Sequence, residues 1–317
     1  MKLTILSDKT FELTPAMLLR IGEFGCDVDY LPADTASAAR LSGSEIIFGC
    51  PPTEALRELP ELKWHHLPNA AIQPYVSPEL YANSNVVLTN SSGVYGEIIA
   101  EHVAAQVLAM ARLFPLYARR QHEQLWKRED YGCVRVEGST AAVFGLGDLG
   151  LNAAKKLKAL GVNILGVRRT LFDKPPCVDE LYDLRSTKEV LSRADFVICC
   201  LPWTKQTENI FNTETLAEMK KSAYFINVGR GITANTEALV AALQSGAIAG
   251  AALDVTDPEP LPKDHPLWTM DNVLLTPHSA CVSDDIQERK VSLFINLLAR
   301  HKNNRTLPNR INFRNGY

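Results

Sequence analysis

The sequence predicts an α/β protein made of two doubly wound parallel-sheet domains. Three observations carry that expectation. Short apolar runs alternate with amphipathic helical stretches along the whole chain, which is the rhythm of strands covered on both faces. The rhythm restarts after Gly138, and 317 residues suffice for about two domains, each with its own core. At the head of the second series, a glycine-rich turn joins an apolar strand to a helix.

In the first series, residues 3–6, 28–31, 46–49 and 86–89 have the apolar, β-branched character of strands, with helical patterns between the first three, as at Pro15–Gly22. Residues 96–126 then read as one long helix, with Ala, Leu and Met at helical spacing. Such a length suits an element that links two domains or packs across a dimer. In the second series, Thr140–Phe144 is a strand and 149–160 a helix. Residues 162–167, 196–201, 224–228 and 248–253 are further strands, and Val273–Leu275 closes the sheet. The terminal helix, 285–301, has nothing left to pack on in that series and is expected to return to the first domain. One domain is therefore expected to comprise residues 1–98 and 284–317, with residues 99–283 inserted as the other.

Composition excludes several classes of function. The formal net charge is −3, and the basic runs Arg119-Arg120, Arg168-Arg169 and Lys220-Lys221 are too short for a nucleic-acid face. No uninterrupted apolar run approaches a membrane span. Met1 to Asp8 is a strand pattern that soon meets charge, unlike a signal peptide. The seven cysteines are scattered without a Cys-x-x-Cys pair. They read as reduced, mostly buried thiols of a cytoplasmic protein with no metal site.

The glycine-rich turn is Gly145-Leu146-Gly147-Asp148-Leu149-Gly150, a G-x-G-x-x-G between strand and helix. The first glycine allows the tight turn, the second lets a pyrophosphate approach, and the third lets helix and strand pack closely. The plainer alternative is an ordinary glycine turn. At the end of the following strand, an NAD site usually carries an acid for the ribose 2′-hydroxyl. Here Arg168-Arg169-Thr170 stands instead, and two guanidinium groups with a hydroxyl could clamp a 2′-phosphate. NADP is therefore the expected cofactor, with NAD the alternative.

Three ionisable residues lie just after strands, where open α/β sheets bind ligands. Arg230 sits in Asn227-Val228-Gly229-Arg230-Gly231, Glu259 in Asp257-Pro258-Glu259-Pro260, and His278 in Thr276-Pro277-His278-Ser279. A 2-oxo acid needs its carboxylate held, its carbonyl polarised and a proton supplied. A guanidinium fork suits the first two tasks and an imidazole the third, with a carboxylate to orient the ring.

With these motifs, the chain resembles the D-isomer-specific 2-hydroxyacid dehydrogenases over nearly its whole length. Further similar segments are 90–96 followed by Glu101-His102, and Leu201-Pro202-Trp203-Thr204 with Thr207. The ending Leu307, Asn309, Gly316-Tyr317 is similar to the glyoxylate and hydroxypyruvate reductase branch. The resemblance implies a Rossmann cofactor domain inserted into a flavodoxin-like substrate domain, an active-site cleft and a homodimer. It makes Arg230, Glu259 and His278 catalytic. It places Leu201, Pro202, Thr207, Val228, Gly229, Asp254 and His278 along the cofactor, with Asp254 near the nicotinamide. Substrate contacts fall to Arg230 and the segment Asn69, Ala70 and Ala71. There the family commonly has a glycine followed by an acid, whereas this chain reads Ala70-Ala71-Ile72-Gln73. His65, His66, His102, His122, His265 and His301 lack comparable placement. Two other readings are weighed: a nicotinamide-sensing protein similar to the corepressors of this fold, and a formate- or phosphite-type dehydrogenase. Glu259, where formate enzymes carry Gln, speaks against formate.

Overall fold

The computed structural model describes residues 1–130 and 132–313. The chain forms two compact units, one of Met1–Val94 with the chain from Ser283, the other of Tyr95–Val282.

The first unit is built on strands β1 (Lys2–Ser7), β2 (Asp27–Pro32), β3 (Ile46–Phe48), β4 (Trp64–Leu67) and β5 (Val87–Asn90). All pair in parallel in the order β2-β1-β3-β4-β5, the flavodoxin-like order. Alternation along each strand feeds two cores. Ile46 and Phe48 face one, with Leu3, Ile5 and Trp64, while Ile47 faces the other with Leu6, Leu67 and Leu88. The C-terminal helix, Ile286–Lys302, covers the first face with Val291, Phe294, Leu297 and Leu298. Phe294 stacks on Phe48 at 4.2 Å and on Trp64 at 5.2 Å between ring centroids, contacts worth about 0.5–1.5 kcal/mol each beyond the burial of area.

The second unit holds β6 (Thr140–Phe144), β7 (Asn163–Val167), β8 (Glu180–Tyr182), β9 (Phe196–Cys199), β10 (Tyr224–Asn227), β11 (Gly250–Leu253) and β12 (Val273–Leu275). The parallel order is β12-β11-β10-β9-β6-β7-β8. It is the dinucleotide-binding order with one strand added, and its direction of winding reverses between β6 and β9. Because all seven strands run the same way, the loops after β6, β9, β10, β11 and β12 share one edge of the sheet.

Three expectations are corrected. The long helix is two, Gly96–Ala111 and Phe114–His122, bent by 70°. Leu113 takes the left-handed conformation (φ +58°) and Pro115, with no amide hydrogen, begins the second helix. Residues 123–126 are not helical. Strands β4 and β8 were not anticipated. The cysteines are all free, but Cys199 alone is buried, Cys133 is exposed and the rest are intermediate. No single helix among the described residues is long and apolar enough to cross a membrane.

Candidate active site

The loop after β6 carries the glycine motif. Gly145 (φ +91°) turns the chain, its amide donating to the Val167 carbonyl at 2.9 Å. A Cβ on Gly150 would lie 1.8 Å from the Gly145 carbonyl oxygen, so the third glycine is demanded by the packing of the helix Asp148–Ala159 on its strand. Gly147 is different: a Cβ there would meet nothing of the protein within 4 Å. The amides of Gly147, Asp148 and Leu149 have no acceptor among the described residues, and they open the helix at its positive end. These open amides beneath an unfilled space fit the pyrophosphate of a dinucleotide. The Asp148 carboxylate is engaged with its own helix, accepting from Asn152 Nδ2 at 3.0 Å.

At the end of β7, the Arg168 amide donates to Tyr182 O and its guanidinium lies 3.6 Å from the centroid of the Phe172 ring. No carboxylate pairs with Arg168 among the described residues. Arg169 and Thr170 are exposed beside it. A planar cation held against an aromatic platform at this position fits a phosphate on the ribose.

Further along the edge, Leu201 and Val228 are buried, and a Cβ on Gly229 would lie 2.5 Å from the Leu201 carbonyl oxygen. The loops after β9 and β10 are thus pressed together. Buried Thr207 is bonded within its own loop, its hydroxyl donating to Pro202 O at 2.7 Å and accepting from the Thr204 amide at 2.8 Å.

Arg230, Glu259 and His278 follow the neighbouring strands β10, β11 and β12. Asn227 shapes the first of these turns: its Oδ1 accepts from the Gly229 amide at 3.0 Å and its Nδ2 donates to Arg230 O at 3.2 Å. The Arg230 guanidinium donates to Gly229 O at 2.7 Å, and among the described residues no carboxylate pairs with it. Glu259 Oε1 lies 2.5 Å from His278 Nδ1, and both side chains are a little under half exposed (42% and 46%). His278 adopts φ +51°, a left-handed conformation uncommon for a non-glycine residue.

Buried Asp254, at the end of β11, is the hub of that turn. Its carbonyl accepts from the His278 amide at 2.8 Å. Its Oδ1 accepts from the Thr276 hydroxyl at 2.7 Å and the Ser279 amide at 2.9 Å, and its Oδ2 from the Ala280 amide at 3.1 Å. His102 Nε2 lies 3.2 Å from Thr276 Oγ1 and 3.8 Å from Asp254 Oδ1. Burial holds the His102 imidazole below its ordinary pKa, with the Asp254 charge opposing. Sequence reasoning passed over His102 and Thr276, because strand ends drew attention only to charged side chains.

In the first unit, the segment after β4 has its carbonyls engaged: Asn69 O accepts from the Ser91 amide at 3.2 Å and Ala70 O from Asn90 Nδ2 at 2.8 Å. The Ala70 and Ala71 amides have no acceptor among the described residues. His65 and His66, just before, are wholly buried and bonded within the core. Gly316 and Tyr317, part of the family-like ending, lie outside the described residues. Among the described residues, no group of three His, Cys, Asp or Glu side chains is placed to hold a metal.

The glycine turn at the switch point, the arginines at the end of β7, and Arg230, Glu259 and His278 after neighbouring strands fit a nicotinamide-dependent oxidoreductase. The chain belongs to the D-isomer specific 2-hydroxyacid dehydrogenase family, whose NAD binding domain matches residues 104–280. It is 32% identical over 234 residues to a glyoxylate reductase of Korarchaeum cryptofilum, covering 72% of this chain and 69% of that protein. The crystal structure of a family member from Xanthobacter autotrophicus Py2, in complex with NADPH and MES, superposes with a TM-score of 0.83 at 29% identity, covering 99% of both chains. An NADPH-dependent glyoxylate/hydroxypyruvate reductase from Sinorhizobium meliloti, in complex with NADP and sulfate, gives 0.83 at 26% identity, covering 100% of both. The protein is accordingly an NAD(P)-dependent enzyme of this family.

Proposed function

We propose that the protein reduces a small 2-oxo acid to the D-2-hydroxy acid, with NADPH preferred over NADH. Glyoxylate, hydroxypyruvate or a branched 2-oxo acid is the substrate. The observation that carries this reading is Arg230: a partly buried guanidinium with no carboxylate partner among the described residues, one strand from the Glu259 that pairs with His278. A substrate carboxylate is the partner this arrangement lacks. The similarity to an NADPH-dependent glyoxylate/hydroxypyruvate reductase supports the substrate class, and Arg168, with no carboxylate partner among the described residues, supports NADPH.

When bound, the nicotinamide supplies the hydride. Arg230 holds the carboxylate and draws electron density toward the carbonyl oxygen. Glu259 occupies His278 Nδ1, which leaves Nε2 as the atom that delivers a proton to that oxygen. In the first unit, the Ala70 and Ala71 amides, with no acceptor among the described residues, are open to an anion. Arg168, Arg169 and Thr170 take the 2′-phosphate. The same reading makes the protein a cytoplasmic homodimer. Exposed Phe114, Leu125 and Trp126 support an apolar contact surface, and a light-scattering mass of one chain would remove the dimer.

The test is loss of reduced-nicotinamide absorbance with a panel of 2-oxo acids, phosphorylated ones included, run with NADPH and NADH in parallel. Turnover of glyoxylate or hydroxypyruvate, faster with NADPH, is the expected result. Silence across the panel despite NADPH binding overturns it.

A further inference from the structure

His278 holds a backbone conformation that non-glycine residues adopt only where surrounding structure imposes it. The surroundings here are specific. Asp254 bonds the His278 amide through its carbonyl and the next two amides through its two carboxylate oxygens. The whole turn 278–280 is thereby strung on one residue that is 3% exposed.

The orientation of that carboxylate is set in turn. The Thr276 hydroxyl has one hydrogen, and at 2.7 Å it points to Asp254 Oδ1. Thr276 Oγ1 therefore receives its bond from His102 Nε2, 3.2 Å away, which places the hydrogen of the neutral imidazole on Nε2. His102 belongs to the helix Gly96–Ala111, so the line runs from a long rigid element to the turn.

We propose that His102 and Thr276 are positioning residues, and that the line His102–Thr276–Asp254 fixes the turn that aims the His278 imidazole. This rests on the reading of His278 as proton donor. None of the three touches the reacting atoms in this scheme. Their contribution is to keep His278 Nε2 in one place, and misplacement by about an ångström costs up to about a hundredfold in rate.

The test compares isosteric pairs in the intact enzyme. Thr276→Val keeps the shape and removes the hydroxyl, while Thr276→Ser keeps the hydroxyl. His102→Leu removes the donor, while His102→Gln can present its amide nitrogen near the position of Nε2. Each variant is measured for kcat and KM with the best 2-oxo acid, for NADPH affinity by fluorescence, and for thermal midpoint. The His278 ring signal is followed by NMR in histidine-labelled protein, assigned by its loss in His278→Asn.

Thr276→Val and His102→Leu are expected to lower kcat by about ten- to a hundredfold with KM and NADPH affinity within about twofold, and to shift or broaden the His278 signal. Thr276→Ser and His102→Gln are expected to restore most of both. An unmoved signal with unchanged kcat in Thr276→Val overturns the proposal. So does an equal loss in Thr276→Val and Thr276→Ser, which would make the role one of general stability. If the wild-type enzyme reduces no 2-oxo acid, the proposed reaction fails, and the His278 signal alone still decides this inference.

Discussion

Glu259 and His278 stand nineteen residues apart in sequence and meet with Oε1 2.5 Å from Nδ1. The carboxylate fixes the ring's tautomer and rotation, and leaves Nε2 for proton exchange. Glu259→Gln keeps the shape and removes the charge. The variant is expected to lower kcat by about a hundredfold or more, the scale of general acid–base assistance. NADPH affinity, read by fluorescence, should stay at the wild-type value. His278→Ala should lose still more turnover with the same unchanged affinity, and full activity in that variant would displace His278 as the proton donor.

Arg230 should show a different kinetic signature. Arg230→Lys retains charge and loses the planar fork, so it is expected to raise KM for the 2-oxo acid and lower kcat together. Losing a charged hydrogen bond costs about 1.5–3 kcal/mol, roughly tenfold to a hundredfold in kcat/KM. A lysine variant with wild-type kcat/KM would mean that the substrate carboxylate is held elsewhere.

The two nucleotides should separate at Arg168. Arg168→Ala is expected to weaken NADPH by about tenfold or more while leaving NADH nearly unchanged, because the lost charge-assisted bond exists only with the 2′-phosphate. Equal weakening of both would remove the phosphate role. Titrations at two salt concentrations would sharpen the contrast, since an exposed ionic contact is screened.

Gly147 and Gly150 lie three residues apart and should fail in opposite ways. Gly150→Ala forces a methyl group to 1.8 Å from a carbonyl oxygen and is expected to lower the thermal midpoint steeply. Gly147→Ala meets no protein atom within 4 Å, so the midpoint should hardly move while dinucleotide affinity falls. A Gly147→Ala protein with full cofactor affinity would place the pyrophosphate elsewhere.

Acid should unfold the first unit through His65 and His66. Burial depresses both, His65 to about 4 and His66 to about 3. An unfolded chain binds these protons near pH 6.5, while the native state refuses them until far lower. Stability from this source is complete above pH 6.5 and falls as pH drops toward 3. Each histidine contributes a slope of about 1.4 kcal/mol per pH unit within its window. Urea unfolding at pH 7, 6 and 5, followed by fluorescence in a variant that keeps Trp64 and replaces Trp126, Trp203 and Trp268 by Phe, should show the decline, and His66→Gln should flatten it. A midpoint constant from pH 7 to 5 would contradict the assignment.

The parts of this molecule that sequence exposes are those where one residue type does one job. Apolar runs made most strands legible, and the charged residues after strand ends singled out Arg230, Glu259 and His278, of which the structure pairs Glu259 with His278. Strand β4 stayed hidden because Trp64-His65-His66-Leu67 looks polar, and only the distant Gly49, Tyr81, Thr89 and Ser91 make those imidazoles tolerable inside. Strand β8 is three residues on an edge, with Glu180 turned to Arg193, and Leu181-Tyr182 is too short an apolar run to mark a strand. The break at Leu113 depends on a single backbone angle beside Pro115, against strong helical composition on both sides. The role of Thr276 is invisible in sequence because a hydroxyl is defined by its neighbours, which here are His102 and Asp254.

The helix Ile286–Lys302 seals a sheet whose strands were all made by residue 90. During synthesis, Leu3, Ile5, Phe48 and Trp64 are made more than two hundred residues before Phe294 exists to cover them. At about 5–20 residues per second, this apolar face waits on the order of ten seconds or more, while the second unit can complete itself. The newborn chain therefore passes through a stage with one finished body and one half-built sheet whose apolar face is still open.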